Sequence, residues 1–246
     1  MKIETQKVEM PLAAGRMGGY LARPQGKGLH PAVLVYMEIF GINSHIREVT
    51  ERVAREGYLA LAPDYFHRTG PGVELGYDEK GFARGMQLLG ALRADEMIAD
   101  ARAAIAWLRG RPDVRGDRIG CMGFCVGGHM TYLTACETDV RAAASFYGGG
   151  IAAPQGFGGA PSTLGRTAKI KGRILCLFGE KDHLIPAAQV EAIRGALEQH
   201  RIRHECVVYP GADHGFFCDQ RPAYQETAAA DAWKRVQSLF AEEFAG

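Results

Sequence analysis

Along the chain, short runs that are apolar throughout alternate with longer stretches of helical apolar period. Residues 32–37 and 58–62 are continuous apolar runs bounded by turn residues. That pattern predicts strands buried on both faces. Residues 2–9 and 17–23 read as two short strands joined by a Gly-containing turn, and 118–124, 140–147, 173–178 and 205–209 as further strands. Between them the pattern predicts a helix over 44–56, capped by Asn43 or Ser44 and closed by Gly57. A helical region over 78–110 falls in two pieces, with Ile98, Ala101, Ile105 and Leu108 striping one face. Helices over 126–137, 187–200 and 224–243 complete the set. Strands alternating with helices argue for an α/β fold with a mostly parallel central sheet and helices on both faces. No linker splits the chain and no repeat is visible, so residues 1–246 are expected to form one domain. The Gly/Ala/Pro/Ser-rich stretch over 148–165 is the longest irregular segment, open to reading as a lid or binding loop or as plain disorder.

Composition narrows the function. The 246 residues carry 29 Lys+Arg against 28 Asp+Glu, a formal net charge of +1. That balance argues against a nucleic-acid partner. With 47% hydrophobic and 23% charged residues the chain can bury a core, which excludes disorder as its main state. The 32 glycines follow no collagen-like period and point to many tight turns. Six cysteines (Cys121, Cys125, Cys136, Cys176, Cys206, Cys218) form no CxxC pair, and most sit in apolar runs as small buried hydrophobes. The first residues lack a signal-peptide core, and no stretch approaches the ~18 apolar residues of a membrane span. A cytoplasmic setting with no membrane partner is expected, as a monomer in preference to a homodimer.

The sharpest motif is Gly123-Phe124-Cys125-Val126-Gly127, between a predicted strand and a predicted helix. G-x-nucleophile-x-G at a strand-to-helix turn is the elbow of α/β-hydrolases, here with Cys in the nucleophile position. The turn is strained, and glycines two residues to either side let the backbone approach closely. The helix N-terminus beneath it favours a thiolate or a bound oxyanion. Taken alone, the pentapeptide equally fits a tight turn with a buried Cys. Order decides between the readings. Nucleophile, then acid, then His is the α/β-hydrolase sequence, and Asp182 and His214 follow Cys125, each after its own predicted strand. Asp213 and His183 are rival assignments, but sequence neighbours rarely share a hydrogen bond of triad geometry. Asp182 with His214 is preferred.

These motifs make the chain resemble the dienelactone hydrolase family over nearly its whole length. The resemblance rests on Glu38-Ile39-Phe40-Gly41-Ile42-Asn43, Arg47-Glu48, Gly57-Tyr58, Ala62-Pro63-Asp64, Gly123–Gly128, Asp182-His183 and Gly211-Ala212-Asp213-His214-Gly215-Phe216. It implies the α/β-hydrolase fold and a small ester or lactone substrate, with no cofactor and no metal. It implies Cys125 as nucleophile, His214 as its base, Asp182 as the group that orients His214, and the backbone N–H groups of Ile39 and Val126 as the oxyanion hole. Glu38 matches a carboxylate that helps activate the nucleophile in relatives. Taken alone it equally suits a loop carboxylate held by an arginine such as Arg47.

Two departures bear on the substrate. Relatives that cleave dienelactone hold its carboxylate with two arginines. Cys218 falls where one is expected and Phe82 where the other is. Arg84 is a candidate replacement, and Arg221 a weaker one. Without a bidentate arginine clamp, the expectation shifts from dienelactone toward a more apolar or neutral ester. Phe82, Phe216, Phe217 and Tyr147 would suit its pocket. The glycines at 148–150 do not make a dinucleotide site, because Pro154 and Gly156 argue against a following helix. A different class of function also remains open, a ligand-binding or redox-responsive protein that uses a reactive Cys125 without turnover.

Overall fold

The computed structural model describes residues 1–245. It contains one eight-stranded sheet. In chain order the strands are β1 (Ile3–Pro11), β2 (Arg16–Pro24), β3 (His30–Tyr36), β4 (Leu59–Pro63), β5 (Val114–Phe124), β6 (Ala142–Phe146), β7 (Arg173–Gly179) and β8 (His204–Tyr209). The helices are α1 (Ser44–Arg55), α2 (Glu79–Gly90), α3 (Ala94–Arg109), α4 (Val126–Glu137), α5 (Ala187–Gln199) and α6 (Glu226–Phe244). The spatial order is β1-β2-β4-β3-β5-β6-β7-β8. β1 pairs antiparallel with β2 and β2 antiparallel with β4, while β3 to β8 and β4 run parallel. This is the mostly parallel α/β arrangement that the alternating pattern predicts.

The apolar runs are where the core lies. Every residue of β4 and of β6 is buried. Successive strand side chains point to opposite faces, so complete burial means that both faces of the sheet are covered. The short β3-to-α1 connection is set by Asn43, whose side-chain oxygen accepts the Ile46 N–H at 3.2 Å and caps α1. The region over 78–110 is indeed two helices, broken at residues 91–93. Asp78 caps α2 by accepting the Gly81 N–H at 2.7 Å. No helix among the described residues is long and apolar enough to cross a membrane.

The 148–165 stretch is ordered, against the reading of plain disorder, and its Phe157 lines a cavity at the sheet edge. It carries 3-10 turns at Phe157–Gly159 and from Thr163 onward, and it is tied down at several points. Leu164 N–H donates to the Ile151 carbonyl at 3.0 Å, and Gly156 N–H to the Ala160 carbonyl at 2.8 Å. His129 on α4 is buried, with Nε2 2.7 Å from the Thr163 hydroxyl and its ring 4.2 Å from that of Phe157. Burial pushes the His129 pKa down to about 4, against a hydrogen bond from the ring to the Gly149 backbone that favours the charged form.

Candidate active site

In a parallel sheet all strand C-termini face one edge, so the segments after β3, β5, β7 and β8 meet there. Cys125 follows β5 with φ 58° and ψ −120°, a conformation that is costly for a residue with a Cβ, about 1–3 kcal/mol. The surroundings hold it there. Its N–H donates to the Phe146 carbonyl at 3.1 Å, and its carbonyl accepts from the N–H groups of Gly128 at 2.9 Å and His129 at 3.2 Å. The flanking glycines are required by packing. A Cβ on Gly123 would stand 2.7 Å from the Tyr36 Cβ, and one on Gly127 would overlap the carbonyls of Tyr36 and Met37. Cys125 is thereby presented at the start of α4, half-buried.

Asp182 lies in the turn after β7 with its side chain fully buried. Its Oδ1 accepts the Leu184 N–H at 2.9 Å, and its Oδ2 stands 2.8 Å from His214 Nδ1. His214 follows β8. Nδ1 is engaged by Asp182, and Nε2 is buried with no hydrogen-bond partner among the described residues. Nε2 is therefore the nitrogen left for Cys125. Burial disfavours the charged imidazole, but the negative charge of Cys125 and the hydrogen bond and charge of Asp182 outweigh it. The net effect raises the His214 pKa well above 6.5. Of the rival pairings, Asp213 is exposed and accepts the backbone N–H of His214 at 2.6 Å, while His183 is exposed. The structure brings Asp182, not Asp213, to the imidazole.

Ile39 and Val126 both line the cavity that holds Cys125 and His214. Val126 opens α4, where an N–H has no intrahelical acceptor. Neither N–H donates to another backbone carbonyl among the described residues. Gly85 of α2 packs directly on this segment, and a Cβ there would stand 2.7 Å from the Ile39 carbonyl oxygen.

Glu38 is almost wholly buried, 1% exposed. Its Oε1 accepts from Arg221 Nη1 at 3.0 Å and its Oε2 from the Tyr77 hydroxyl at 3.2 Å. Arg47, the partner suggested by sequence, instead donates to the Ile42 carbonyl at 2.7 Å and to Glu74 at 2.6 Å. Arg221 reaches the site from the loop beyond His214, although it lies three residues past the expected position. The turn that delivers it has the Arg221 N–H donating to the Cys218 carbonyl at 3.1 Å.

The cavity over Cys125 has a volume of about 500 Å³. Its walls are Ile39, Phe40, Phe82, Met86, Leu89, Val126, Phe157 and Leu184, with Cys125, His129, His214 and Arg221 as the ionisable groups. Phe82, Met86 and Leu184 are 53%, 45% and 65% exposed and form its apolar rim. Phe82 thus lies where sequence expects a substrate-binding residue. Arg84 does not. On a helix it stands about 200° round from Phe82, while Met86 shares the Phe82 face. The Arg84 guanidinium donates instead to Gln87 at 3.2 Å and to the Thr69 carbonyl at 3.5 Å. Tyr147 and Phe216 are also corrected. Both are fully buried, with ring centroids 5.3 Å apart, and Tyr147 packs edge-on to His214 at 5.0 Å. They form the wall behind the imidazole and do not line the cavity. Sequence reasoning missed Tyr77, Met86, Phe157 and Leu184. Only Met86 had a signal, its helical i+4 spacing from Phe82.

The comparisons agree with this architecture. A model of the dienelactone hydrolase family matches residues 17–244, and the chain belongs to that family. A Synechocystis sp. protein named "Putative carboxymethylenebutenolidase" is 46% identical over 243 residues, covering 98% of each chain. A Bradyrhizobium sp. protein named "Probable 2-oxo-3-(5-oxofuran-2-ylidene)propanoate lactonase" is 34% identical, covering 88% of this chain and 86% of its own. The crystal structure titled "Putative Dienelactone Hydrolase" from Klebsiella pneumoniae superposes with a TM-score of 0.90 at 33% identity, covering 98% of this chain and 100% of the other. The protein is a hydrolase of the lactone and ester class, and its substrate is a small molecule.

Proposed function

We propose that the chain hydrolyses a small, largely apolar ester or enol-lactone, other than dienelactone itself, through a covalent acyl-thioenzyme on Cys125. The observation that carries this reading is the His214 imidazole, with Nδ1 held by buried Asp182 at 2.8 Å and Nε2 left unpartnered beside the Cys125 elbow. In this reading the reacting pair is an imidazolium and a thiolate, the charge of each favouring that of the other and Asp182 favouring the imidazolium. The thiolate sulfur attacks the ester carbonyl carbon, and the carbonyl oxygen takes up negative charge facing the N–H groups of Ile39 and Val126. When the C–O bond breaks, His214 gives its proton to the leaving alkoxide. Water then attacks the thioester while His214 takes one of its protons, and the carboxylic acid leaves with the thiolate restored. Asp182 keeps the proton-bearing Nδ1 oriented throughout.

The lining supports the substrate class. Among the described residues Arg221 is the only arginine or lysine in the cavity wall, and it is paired with Glu38. Glu38 takes one N–H of that guanidinium and offsets its charge, which weakens its pull on a substrate carboxylate, whereas an apolar arm meets Phe82, Met86, Phe157 and Leu184 directly. The volume is within the roughly 300–1,000 Å³ of small-molecule sites.

The test is a panel of p-nitrophenyl esters of graded chain length and one carboxylated enol-lactone, with wild type and Cys125→Ser, following product beyond one equivalent. Turnover of the neutral esters, little of the carboxylated lactone, and loss in Cys125→Ser are expected. Good turnover of the carboxylated lactone would overturn the substrate class. One equivalent of product followed by silence would overturn turnover itself.

A further inference from the structure

The site contains a buried chain of donors that the mechanism above does not use. The Cys218 thiol donates to the Tyr77 hydroxyl at 3.3 Å, and that hydroxyl donates to Glu38 Oε2 at 3.2 Å. Tyr77 precedes α2, Cys218 sits four residues beyond His214, and Glu38 adjoins Ile39. One phenol therefore joins the three segments that meet at the candidate site.

The neighbourhood indicates what this joint does. The stretch before α2 grips the turn after β3 at several points. Leu75 N–H donates to the Phe40 carbonyl at 2.9 Å, Gly41 forms an isolated bridge with Glu74, and the rings of Tyr77 and Phe40 meet edge-on at 4.6 Å. These contacts hold the outer part of the turn. The Tyr77 hydroxyl alone extends the grip to Glu38. A buried carboxylate needs a donor on each oxygen, and here Arg221 serves one and Tyr77 the other. We propose that Tyr77 is a positioning residue, which by holding Glu38 against Arg221 fixes the peptide of Ile39 relative to Cys125. This deepens the function proposed above and rests on it.

The direction of donation is set by the chemistry of the three groups. Burial and the Glu38 charge raise the pKa of Tyr77, and the same two causes push Cys218 up to about 11. Both stay protonated at neutral pH, so the carboxylate ends the chain as its acceptor. Without the hydroxyl, Oε2 is buried with no donor, and the carboxylate, held only through Oε1 by Arg221, shifts from its place and takes the neighbouring Ile39 peptide with it. The consequence falls on the rate more than on substrate affinity, because the Ile39 N–H acts on charge that develops during reaction.

A double-mutant cycle on a p-nitrophenyl ester tests this, with Tyr77→Phe, Glu38→Ala and the pair together. Tyr77→Phe should lower kcat about tenfold, the scale of one hydrogen bond to a buried charge, with KM within about twofold. In the Glu38→Ala background it should cost nothing further, because its target is gone. An equal loss in both backgrounds, or an unchanged kcat, overturns the proposal. If Tyr77→Phe folds poorly, Cys218 carries the test. Cys218→Ala should lower kcat about threefold and Cys218→Ser should recover most of that loss, while identical rates for the two overturn the relay. Cys125→Ala separates the two claims. Turnover retained in full by that variant refutes the proposed nucleophile, and the cycle still decides the role of Tyr77.

Discussion

Replacing Asp182 by Asn removes one negative charge from a buried pair while keeping its shape. The Asn side-chain oxygen can still accept the Leu184 N–H that Asp182 holds at 2.9 Å, so the turn after β7 should survive. What is lost is the charged acceptor 2.8 Å from His214 Nδ1, with the Asp182 side chain fully buried and that of His214 only 10% exposed. Removing the charged partner that orients and stabilises a catalytic imidazolium lowers kcat by roughly 10²- to 10⁴-fold, or about 3–5 kcal/mol at 1.4 kcal/mol per decade. The imidazole should respond as well. Burial lowers its pKa, and Asp182 supplies part of what raises it, so the variant's value must fall. In wild type the charged imidazole adds stability that is fully present below about pH 6.5 and lost as pH rises through the raised folded value. The alkaline limb of kcat/KM for an imidazolium–thiolate pair should therefore lie well above pH 6.5 in wild type and move to lower pH in Asp182→Asn. The assay is kcat/KM on a p-nitrophenyl ester from pH 5 to 10, with Asp213→Asn alongside. Asp213 is exposed and its side chain accepts from the backbone of His214, so its variant should stay within about threefold of wild type. A threefold or smaller effect for Asp182→Asn, or an unmoved alkaline limb, would refute the orienting role.

Two further outcomes follow from packing and burial. Gly85→Ala should lower kcat at least about tenfold at a stability cost of about 1–3 kcal/mol, because its Cβ would press on the Ile39 carbonyl at 2.7 Å; steady-state kinetics with urea unfolding separates the two effects. His129 is neutral in the fold, with its pKa near 4 against 6.5 when unfolded. Its depressed value means stability present above pH 6.5 and lost as pH falls toward 4, about 3 kcal/mol in all, so unfolding free energies across that window should flatten in His129→Gln.

How far the site could be read from sequence depended on whether its residues sit in a local pattern. Cys125 carries its signature within five residues, because the elbow needs glycine on both sides for reasons of contact with Tyr36 and Met37. Asp182 and His214 were legible because each follows a strand at the sheet edge where such groups must lie. Arg221 was undervalued, because the turn from Gly215 to Arg221 rather than sequence position decides where its guanidinium goes. Arg84 failed on helical geometry that the sequence does contain, since Phe82 and Met86 at i and i+4 define the inward face of α2. Tyr147 and Phe216 lie at the right depth in the chain, but their rings pack behind His214 instead of over it. The segment over 148–165 looked irregular from its glycines, while the contact that orders it, His129 with Thr163, spans 34 residues and has no sequence signal. Tyr77 belongs to the same class, since its partners Glu38 and Cys218 are 39 and 141 residues away.

The central claim is a covalent acyl intermediate on Cys125, and rapid-quench mass spectrometry of the intact protein tests it most directly. During turnover of a slow ester, the account predicts a mass increase equal to the acyl group, mapped by digestion to Cys125, with product continuing past one equivalent. Sustained turnover with no adduct at Cys125, retained in full by Cys125→Ala, would contradict it.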